Sequence, residues 1–499
     1  MGIPACQRCV TPSCGETYDF GEVITECKKC GNLLDIKYDW DKINYPKELR
    51  FYESRRGNLG FIFDRSGVWR FRELLPFVNI ENEQTFSRQI VSLDGAEGRT
   101  NPYHTSFVGK YVIGKIFKEK SGKIRILPDR DLSKKEYDFI YNNFYIQFEG
   151  ANPSGSFKDN GLTAAFTHAN MIGITKAVCA STGNTSASLA AFARNSGILQ
   201  GYIFFGEGKI AYGKLSQGLE YGAKTIQIEG DFDDAMSLVQ KLAREKGVYL
   251  MNSLNPFRLE GQKTIMYRVL EGLNWQAPDW IIVPGGNLGN SSAFGKAFIE
   301  LYELGIIKKV PRIVIVNSTG APTLDVLYNE KKLRWNNGKI DDDIIDKYYK
   351  YMDQNNIKAK TVASAIEINR PVNLKKALRT LEFTNGLVRS VTDEQILDAK
   401  AIIGLNGLFG CEPASAASVA GAKVLYEEGI IDPEEVVVCI ATGHQLKDPV
   451  ATVGYHTEGV DPEIDKKFES FDIKERKFAN KPIKVSADIE EIIEIITKS

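Results

Sequence analysis

Short runs of β-branched residues alternate with longer helical patterns from about residue 146 onward. The runs predict strands at 176–180, 201–205, 225–229, 248–252, 280–284, 312–317 and 436–441. The segments between them predict helices at 158–171, 185–195, 214–221, 232–245, 259–273 and 291–304. Consecutive strands are often about 25 residues apart, which is the spacing of βαβ units in a parallel sheet. The pattern therefore predicts an α/β fold.

The segments on either side of this region differ from it in composition. Residues 1–40 are rich in cysteine, and residues 41–145 are mixed and polar. Residues 329–356 are charged and polar, which predicts an exposed insertion, and the charged tail ends in an amphipathic pattern at 489–496. We therefore expect a cysteine-rich head at 1–40, a discontinuous large domain at 41–149 and 256–455, a small α/β domain at 150–255, and a C-terminal extension at 456–499.

Composition and charge exclude several classes of protein. The chain carries 63 Lys and Arg residues against 64 Asp and Glu residues, and this balance argues against a dedicated nucleic-acid-binding protein. Its 43% hydrophobic and 25% charged residues exclude a disordered chain. No apolar run is long enough for a membrane span, and the first residues lack the pattern of a secretory signal. We therefore expect a cytoplasmic protein with neither nucleic acid nor membrane as partner.

One lysine, Lys158, follows a loop of proline, serine and glycine and stands in the first turn of a predicted helix. A helix N-terminus disfavours an ammonium group, so we expect the pKa of Lys158 to be lowered. A neutral amine is the form that attacks a carbonyl carbon, which makes Lys158 a candidate for Schiff-base chemistry. The alternative is a solvated lysine beside a turn, which describes most lysines.

Three further segments combine a predicted strand with a turn rich in glycine or hydroxyl residues. Segments 180–188 and 282–290 each lead into a helix, so their backbone N–H groups can bind an anion. Segment 436–444 is a strand that ends at Thr442, where α/β sheets place ligand-binding groups. Taken singly, each segment is also an ordinary end of a strand. Together with Lys158 they supply an amine, a phosphate cradle and a hydroxyl, which a phosphate-bearing aldehyde cofactor requires.

These loops resemble those of one enzyme family. Pro-Ser-Gly-Ser-Phe-Lys-Asp at 153–159 resembles the cofactor-lysine motif of fold-type II pyridoxal-phosphate enzymes. Four stretches are similar to threonine synthases, especially the plant-like branch: Ser-Thr-Gly-Asn-Thr-Ser at 181–186, Asn-Ser-Leu-Asn-Pro-Phe-Arg-Leu-Glu-Gly-Gln-Lys at 252–263, Pro-Gly-Gly-Asn-Leu-Gly-Asn at 284–290 and Ala-Thr-Gly-His-Gln-Leu-Lys at 441–447. The resemblance implies the fold of the tryptophan synthase β subunit, with two open, twisted, parallel-rich sheets flanked by helices. It also implies a homodimer.

The resemblance further implies roles for residues at matching positions. Lys158 would hold pyridoxal 5'-phosphate covalently and transfer protons, Asn184 would hydrogen-bond the ring oxygen, and Thr442 would face the pyridine nitrogen. The cofactor phosphate would lie in a loop formed by Gly285, Gly286, Asn287, Leu288 and Gly289. The substrate amino acid would be bound by Ser181, Thr182 and Thr185, and its phosphate by Asn252, Ser253 and Arg258.

The implied reaction converts O-phospho-L-homoserine and water to L-threonine and phosphate, by γ-elimination followed by β-addition of water. The alternative is another lyase of the same fold, such as a threonine or serine dehydratase or a cysteine or cysteate synthase. The set Asn252, Ser253 and Arg258 favours a phosphorylated substrate, because dehydration of serine or threonine needs no phosphate clamp. A further alternative is a non-catalytic protein that binds a partner through its cysteine head. Lys158 and both anion-binding loops argue against it.

The cysteines of the head have the spacing of a zinc ribbon. Cys6 and Cys9 form one pair, Cys27 and Cys30 form the other, and two residues separate the members of each pair. Four thiolates complete a tetrahedral structural site, so we expect structural zinc on these four residues. Cys14 is a substitute ligand, and reduced cysteines or a disulfide are the alternatives to a metal.

Overall fold

The computed structural model describes residues 3–58, 60–78, 87–120, 123–206, 212–230, 232–459 and 462–498. The strands of this part of the chain are β1 Ala5–Cys9, β2 Thr17–Tyr18, β3 Leu34–Tyr38, β4 Pro102–His104, β5 Ile116–Lys118, β6 Ile124–Ile126, β7 Phe144–Phe148, β8 Lys176–Ala180, β9 Gln200–Gly206, β10 Lys224–Ile228, β11 Tyr249–Leu250, β12 Trp280–Pro284, β13 Arg312–Ser318, β14 Leu387–Val391 and β15 Val437–Ala441.

The α-helices of the same residues are α1 Glu53–Arg56, α2 Ile62–Arg65, α3 Ser106–Val112, α4 Lys134–Asp138, α5 Lys158–Met171, α6 Asn184–Ser196, α7 Tyr212–Glu220, α8 Phe232–Lys246, α9 Pro256–Gly272, α10 Gly289–Glu303, α11 Thr323–Asp325, α12 Asp342–Gln354, α13 Leu374–Phe383, α14 Asp393–Leu405, α15 Pro413–Glu427, α16 Pro449–His456, α17 Pro462–Glu469 and α18 Ile489–Lys498. None of the described helices is long and apolar enough to cross a membrane.

Two parallel-rich sheets carry the fold. The six-stranded sheet has the order β14-β13-β12-β15-β7-β4, and the four-stranded sheet has the order β10-β9-β8-β11. Every pair of described neighbours in these two sheets is parallel except β4 with β7 at an edge. The predicted α/β fold with two parallel-rich sheets and a small ribbon at the N-terminus is confirmed.

Both faces of the six-stranded sheet are buried, as a parallel sheet covered by helices requires. Successive residues of β12 alternate between two apolar cores: Trp280 and Ile282 pack in one, and Ile281 and Val283 in the other. A third core joins the four-stranded sheet to α5, which contributes Leu162 and other apolar residues. Because α5 begins at Lys158, this packing fixes the position of the candidate lysine.

The sequence pattern predicts the bounds of several strands and helices correctly and describes two other segments incompletely. The strands at 176–180 and 280–284 and the helix at 158–171 have the predicted bounds. The predicted strand at 248–252 is shorter, because only Tyr249–Leu250 pair with β8. The segment 329–356 is largely exposed, as predicted, except for Leu333, Trp335, Ile345 and Met352, which are buried.

Candidate active site

The loop before Lys158 is held against the end of β15. The Phe157 N–H donates to the Thr442 carbonyl oxygen over 2.9 Å, and the His444 N–H donates to the Gly155 carbonyl oxygen over 2.9 Å. Gly155 has φ +80°, a left-handed conformation that suits glycine. This pairing places the first residue of α5, Lys158, beside the strand end that carries Thr442.

The amine of Lys158 lies in an environment that disfavours its charge. Burial lowers the pKa of Lys158 to about 7, and the positive charges of Arg258 and Lys214 act in the same direction. The carboxylate of Glu412 acts in the opposite direction. The Nζ atom lies 4.0 Å from the centre of the Phe157 ring and has no hydrogen-bond partner among the described residues. Near neutral pH, a large share of this amine is therefore unprotonated and able to attack a carbonyl carbon.

The loop after β8 leads directly into α6. The Ser181 hydroxyl accepts from the Gly183 N–H over 3.0 Å, and Asn184 is the first residue of the helix. Thr182 and Thr185 are half-buried, which leaves their hydroxyls accessible to a small ligand. The predicted substrate-binding residues 181–185 thus lie at the N-terminus of a helix, where backbone N–H groups favour a carboxylate.

Asn252 connects this loop to the next one. Its amide donates to the Ala180 carbonyl oxygen over 2.9 Å and accepts from the Ala180 N–H over 3.0 Å. Arg258 is buried; one guanidinium nitrogen donates to the Met251 carbonyl oxygen over 2.7 Å, and its Nε has no partner. Ser253 is half-buried. In this structure Asn252 therefore positions the loop, and Arg258 and Ser253 retain unused polar groups.

The glycine-rich loop between β12 and α10 has the shape of an anion cradle. A Cβ atom at Gly285 would lie 2.7 Å from side-chain atoms of Asn317, and one at Gly286 would lie 2.9 Å from the Ala365 carbonyl oxygen, so larger residues do not fit. Leu288 has φ +60°, a strained conformation for a branched side chain. The loop ends at Gly289, the first residue of a 15-residue helix whose free N–H groups favour a phosphate.

One asparagine joins the phosphate cradle to the substrate loop. The side-chain amide of Asn373 donates to the carbonyl oxygens of Asn287 and Ser253, each over 3.2 Å. The contacts of Asn252 and Asn373 thus connect the loops after β8, β11 and β12. These loops follow the carboxyl ends of parallel strands, where α/β proteins bind their ligands.

Thr442 lies at the end of β15 and is buried. Its hydroxyl is 3.0 Å from the hydroxyl of Ser415, which also accepts from the Gly443 N–H over 2.8 Å. Ser415 was not among the residues that the sequence motifs indicate. A neutral pair of hydroxyls is present here instead of a carboxylate.

Glu412 and Lys214 belong to the site and were missed by the sequence motifs. The Glu412 carboxylate accepts from the Asn184 amide over 2.9 Å and lies 3.2 Å from the Lys214 ammonium. Both charged side chains are almost completely buried. No sequence motif marks Glu412: it occupies the N-cap position before a proline, but the helix that follows it, α15, was not predicted.

These residues fit pyridoxal 5'-phosphate, the cofactor that the resemblance implies. Lys158 offers a partly neutral amine, and the loop 285–289 offers a cradle at a helix N-terminus. Several buried polar atoms around them have no partner, including Asn184 Oδ1, Asn290 Oδ1 and Gln262 Oε1. Buried polar groups without partners are rare in proteins and mark places where a polar ligand binds.

Four thiols of the head form a separate cluster. The sulfur atoms of Cys9, Cys14, Cys27 and Cys30 all lie within 4.8 Å of one another. The Tyr18 hydroxyl lies 3.2 Å from the Cys27 sulfur. This donor set and its compactness suit a tetrahedral zinc site.

Cys6, which the sequence spacing predicts as a metal ligand, is not a member of this cluster. Cys6 and Cys9 lie three positions apart on the same strand, β1. Side chains alternate between the two faces of a strand, so residues three positions apart point to opposite faces. Cys14, in the turn after β1, occupies the position that the sequence spacing assigns to Cys6.

Known proteins are similar to this chain over most of its length. The family model described as "Pyridoxal-phosphate dependent enzyme" matches residues 131–443. The threonine synthase of Methanocaldococcus jannaschii is 41% identical over 460 residues, which are 92% of this chain and 97% of that one. Threonine synthase 2, chloroplastic, of Arabidopsis thaliana is 31% identical over 497 residues, 97% of this chain and 83% of that one.

Solved structures with low sequence identity share the fold. The structure of maize serine racemase superposes with a TM-score of 0.50 at 19% identity, and it covers 69% of this chain and 88% of its own. A fungal L-serine ammonia-lyase from Rhizomucor miehei also has a TM-score of 0.50 at 19% identity, over 66% of this chain and 93% of its own. At this identity the likeness concerns the fold alone. The family match and the two threonine synthases carry the assignment: the chain belongs to the pyridoxal-phosphate dependent enzymes and, among them, to the threonine synthases.

Proposed function

We propose that this chain converts O-phospho-L-homoserine and water to L-threonine and phosphate, with Lys158 as its catalytic amine. The observation that carries the proposal is the position of Lys158 beside the end of β15, where burial and the positive charges of Arg258 and Lys214 lower its pKa to about 7. An amine with this pKa accepts and returns protons near neutral pH, which repeated proton transfers on one substrate require.

Pyridoxal phosphate, when bound, withdraws electrons from the substrate carbons that lose protons. The chain supplies the remaining functions. The loop 285–289 would hold the cofactor phosphate, and Asn184 would hydrogen-bond the ring oxygen. Thr442, as a neutral hydroxyl, leaves the ring nitrogen without an ionic partner. Lys158 would first attach the cofactor and then, as a free amine, move protons between the substrate carbons.

The substrate would be held at its two charged ends. The loop 181–185 would bind the carboxylate at the N-terminus of α6. Arg258 and Ser253 would bind the phosphate, since a guanidinium can contact two phosphate oxygens at once. Two fixed ends orient the carbon chain between them, so that the carbons that lose and gain protons stay within reach of Lys158.

The reaction itself tests the proposal. We expect wild-type enzyme with pyridoxal phosphate to release one phosphate from O-phospho-L-homoserine for each threonine formed. Lys158→Ala should lower the rate at least about 100-fold, because it removes the proton-transferring group. Lys176→Ala is the matched control, since Lys176 is exposed at the start of β8, and its rate should equal that of wild type. Cofactor uptake without phosphate release, together with turnover of L-serine, L-threonine or O-phosphoserine, would replace this substrate with that of a related lyase.

We also propose that the head binds structural zinc through Cys9, Cys14, Cys27 and Cys30. The support is the compact set of four sulfur donors, which leaves no open position for a substrate. The hydroxyl of Tyr18 beside Cys27 is the kind of outer contact that fixes a metal ligand.

Three properties of the whole enzyme follow as proposals. Residues 150–255 would form a small domain inserted into a large one, a division supported by the confinement of β8–β11 to one sheet. The enzyme would be a homodimer, which light scattering would detect as twice the chain mass. It would act in the cytoplasm, where thiols such as Cys411 and Cys439 stay reduced, and cell fractionation would test this.

A further inference from the structure

A buried carboxylate, Glu412, lies where the two sheets of the enzyme meet over the active site. Glu412 precedes the first residue of α15, yet its side chain makes no capping bond to that helix. It lies against the turn after β15 instead: a Cβ atom at Gly443 would come within 2.4 Å of Glu412 Oε1. The N-terminus of α15 favours negative charge at this position.

The carboxylate contacts two helices that extend from the four-stranded sheet. Asn184, the first residue of α6, donates from its amide nitrogen to both carboxylate oxygens, over 2.9 and 3.2 Å. Lys214 on α7 lies 3.2 Å from Glu412 Oε2 and also donates to the Ser364 hydroxyl over 3.1 Å. One carboxylate on the side of the six-stranded sheet therefore holds two helices of the other sheet.

The contact with Asn184 also fixes the orientation of its amide. Because the amide nitrogen faces Glu412, the side-chain oxygen points away from it, and that oxygen is buried without a partner. A free rotation of the amide would exchange donor and acceptor towards a bound ligand. Glu412 thus determines which polar atom of Asn184 a cofactor in this site would meet.

Glu412 and the cationic side chains near Lys158 have opposite effects on the pKa of Lys158. Arg258 on α9 and Lys214 on α7 both disfavour an ammonium at Lys158, whereas Glu412 favours it. Burial lowers the pKa of Lys447, which follows β15, to about 8, and the carboxylate of Glu412 acts in the opposite direction. The buried carboxylate of Asp159 also acts on Lys447, but Glu412 is the carboxylate that opposes the positive charges at Lys158.

We propose that Glu412 is a positioning residue of this site, which holds α6 and α7 over the cofactor pocket through Asn184 and Lys214 and counters the positive charge around Lys158. The proposal deepens the proposed function and rests on it. It predicts that the negative charge of Glu412 affects the protonation of Lys158, whereas the length of its side chain affects the affinity for the cofactor.

The test uses the full chain without cofactor. The acetylation of Lys158 by acetic anhydride is measured by mass spectrometry as a function of pH, with exposed Lys176 as internal reference. In wild type the midpoint should lie near pH 7. In Glu412→Gln it should fall by about one unit, because an opposing charge is lost. Glu271→Gln is the control, a buried carboxylate paired with Arg70, and should leave the midpoint unchanged.

The direction in which the acetylation midpoint of Lys158 moves distinguishes this proposal from a merely structural role of Glu412. If Glu412 only maintained the fold, its loss would admit water to Lys158, and the midpoint would rise towards that of a solvated lysine. A rise, or no shift, in folded Glu412→Gln would overturn the proposal. This measurement needs no substrate and no bound cofactor, so a failure of the threonine synthase assay would leave its result intact.

A second variant and a second readout cover the case in which Glu412→Gln does not fold. Glu412→Asp keeps the charge but is one methylene shorter, so it cannot reach both Asn184 and Lys214. We expect a midpoint near that of wild type and a dissociation constant for pyridoxal phosphate raised about tenfold. Unchanged cofactor affinity in Glu412→Asp would contradict the positioning role.

Discussion

His168 lies on the helix that begins at Lys158, and its hydrogen bonds select one neutral tautomer. Its Nε2 is 2.9 Å from the Phe20 carbonyl oxygen, which can only accept, so Nε2 carries the proton. Its Nδ1 then accepts from the Tyr249 hydroxyl over 2.6 Å. The ring also stacks on Phe257, with centroids 3.4 Å apart. Burial lowers the pKa of His168 to about 3, so the ring stays neutral in the folded chain.

This histidine makes stability depend on pH. In the unfolded chain its pKa is about 6.5, so between pH 6.5 and 3 the unfolded state binds more protons. The stabilisation is complete above pH 6.5 and is lost as the pH falls towards 3. At pH 5 the loss amounts to about 2 kcal/mol.

We expect His168→Gln to shrink the difference in unfolding free energy between pH 7 and pH 5 by about 2 kcal/mol, because the titrating ring is gone. Urea denaturation at both pH values measures this difference. His104→Gln, at an exposed histidine, should leave it as in wild type. An equal difference in His168→Gln and wild type would show that this ring does not contribute.

At the scale of elements, the sequence predicts those parts whose pattern is local. The strand β12 was predicted from its continuous run of apolar residues, which burial on both faces of a sheet requires. The helix that begins at Lys158 was predicted with its observed bounds. The helices α14 and α15 were not predicted, because the strand before them, β14, was also missed and the spacing of βαβ units is lost there.

The candidate site follows the same rule. Lys158 and the glycine-rich loop stand in recognisable motifs, but Glu412 is a single acidic residue whose meaning depends on contacts with Asn184 and Lys214. Those partners are more than 190 positions away in the chain, and no local pattern connects them. The same holds for the thiol cluster, which contains Cys14 in place of Cys6, the residue that the spacing indicates.

The alternation of side chains on β1 gives a direct test of the metal site. We expect Cys14→Ser to remove most of the zinc from the purified chain, because it deletes one of four sulfur ligands. Cys6→Ser should retain about one zinc ion per chain. Metal content per chain, measured by mass spectrometry of the digested protein, decides between them. Loss of zinc from Cys6→Ser and retention in Cys14→Ser would restore the ligand set that the spacing predicts.

At the scale of the whole molecule, the head is joined to the catalytic body by buried polar contacts. Lys376 on α13 donates to the Leu34 carbonyl oxygen over 2.7 Å and lies 2.9 Å from the Asp35 carboxylate. Lys296 on α10 donates to the Ile36 carbonyl oxygen over 2.8 Å. Although burial opposes ionisation, the nearby cations hold the pKa of Asp35 well below its usual range. The strand β3 is thus fixed to the helix that begins at the phosphate cradle.

Because of these contacts, we expect the head and the body to unfold together. Asp35→Asn should lower the stability of the chain by about 3 kcal/mol, since it leaves Lys376 buried without its ionic partner. Calorimetry should show one main transition at a lower temperature. Asp39→Asn breaks an exposed pair with Lys42 and should change stability by less than about 1 kcal/mol. A separate early transition in Asp35→Asn would show instead that the head is an independent unit.

The attachment of the head has a consequence for the order of events during synthesis. Leu34 and Lys376 are 342 positions apart, so at about 5–20 residues per second the ribosome completes the docking surface roughly 20–70 s after the head has emerged. All four clustered cysteines are made within the first 30 residues. During that interval a ribbon whose own core is only the small cluster around Cys9, Cys27 and Leu34 must keep its shape without the helices that later cover it. A zinc ion bound as soon as Cys30 is made would serve that purpose, and the finished ribbon would then be the template on which α10 and α13 dock.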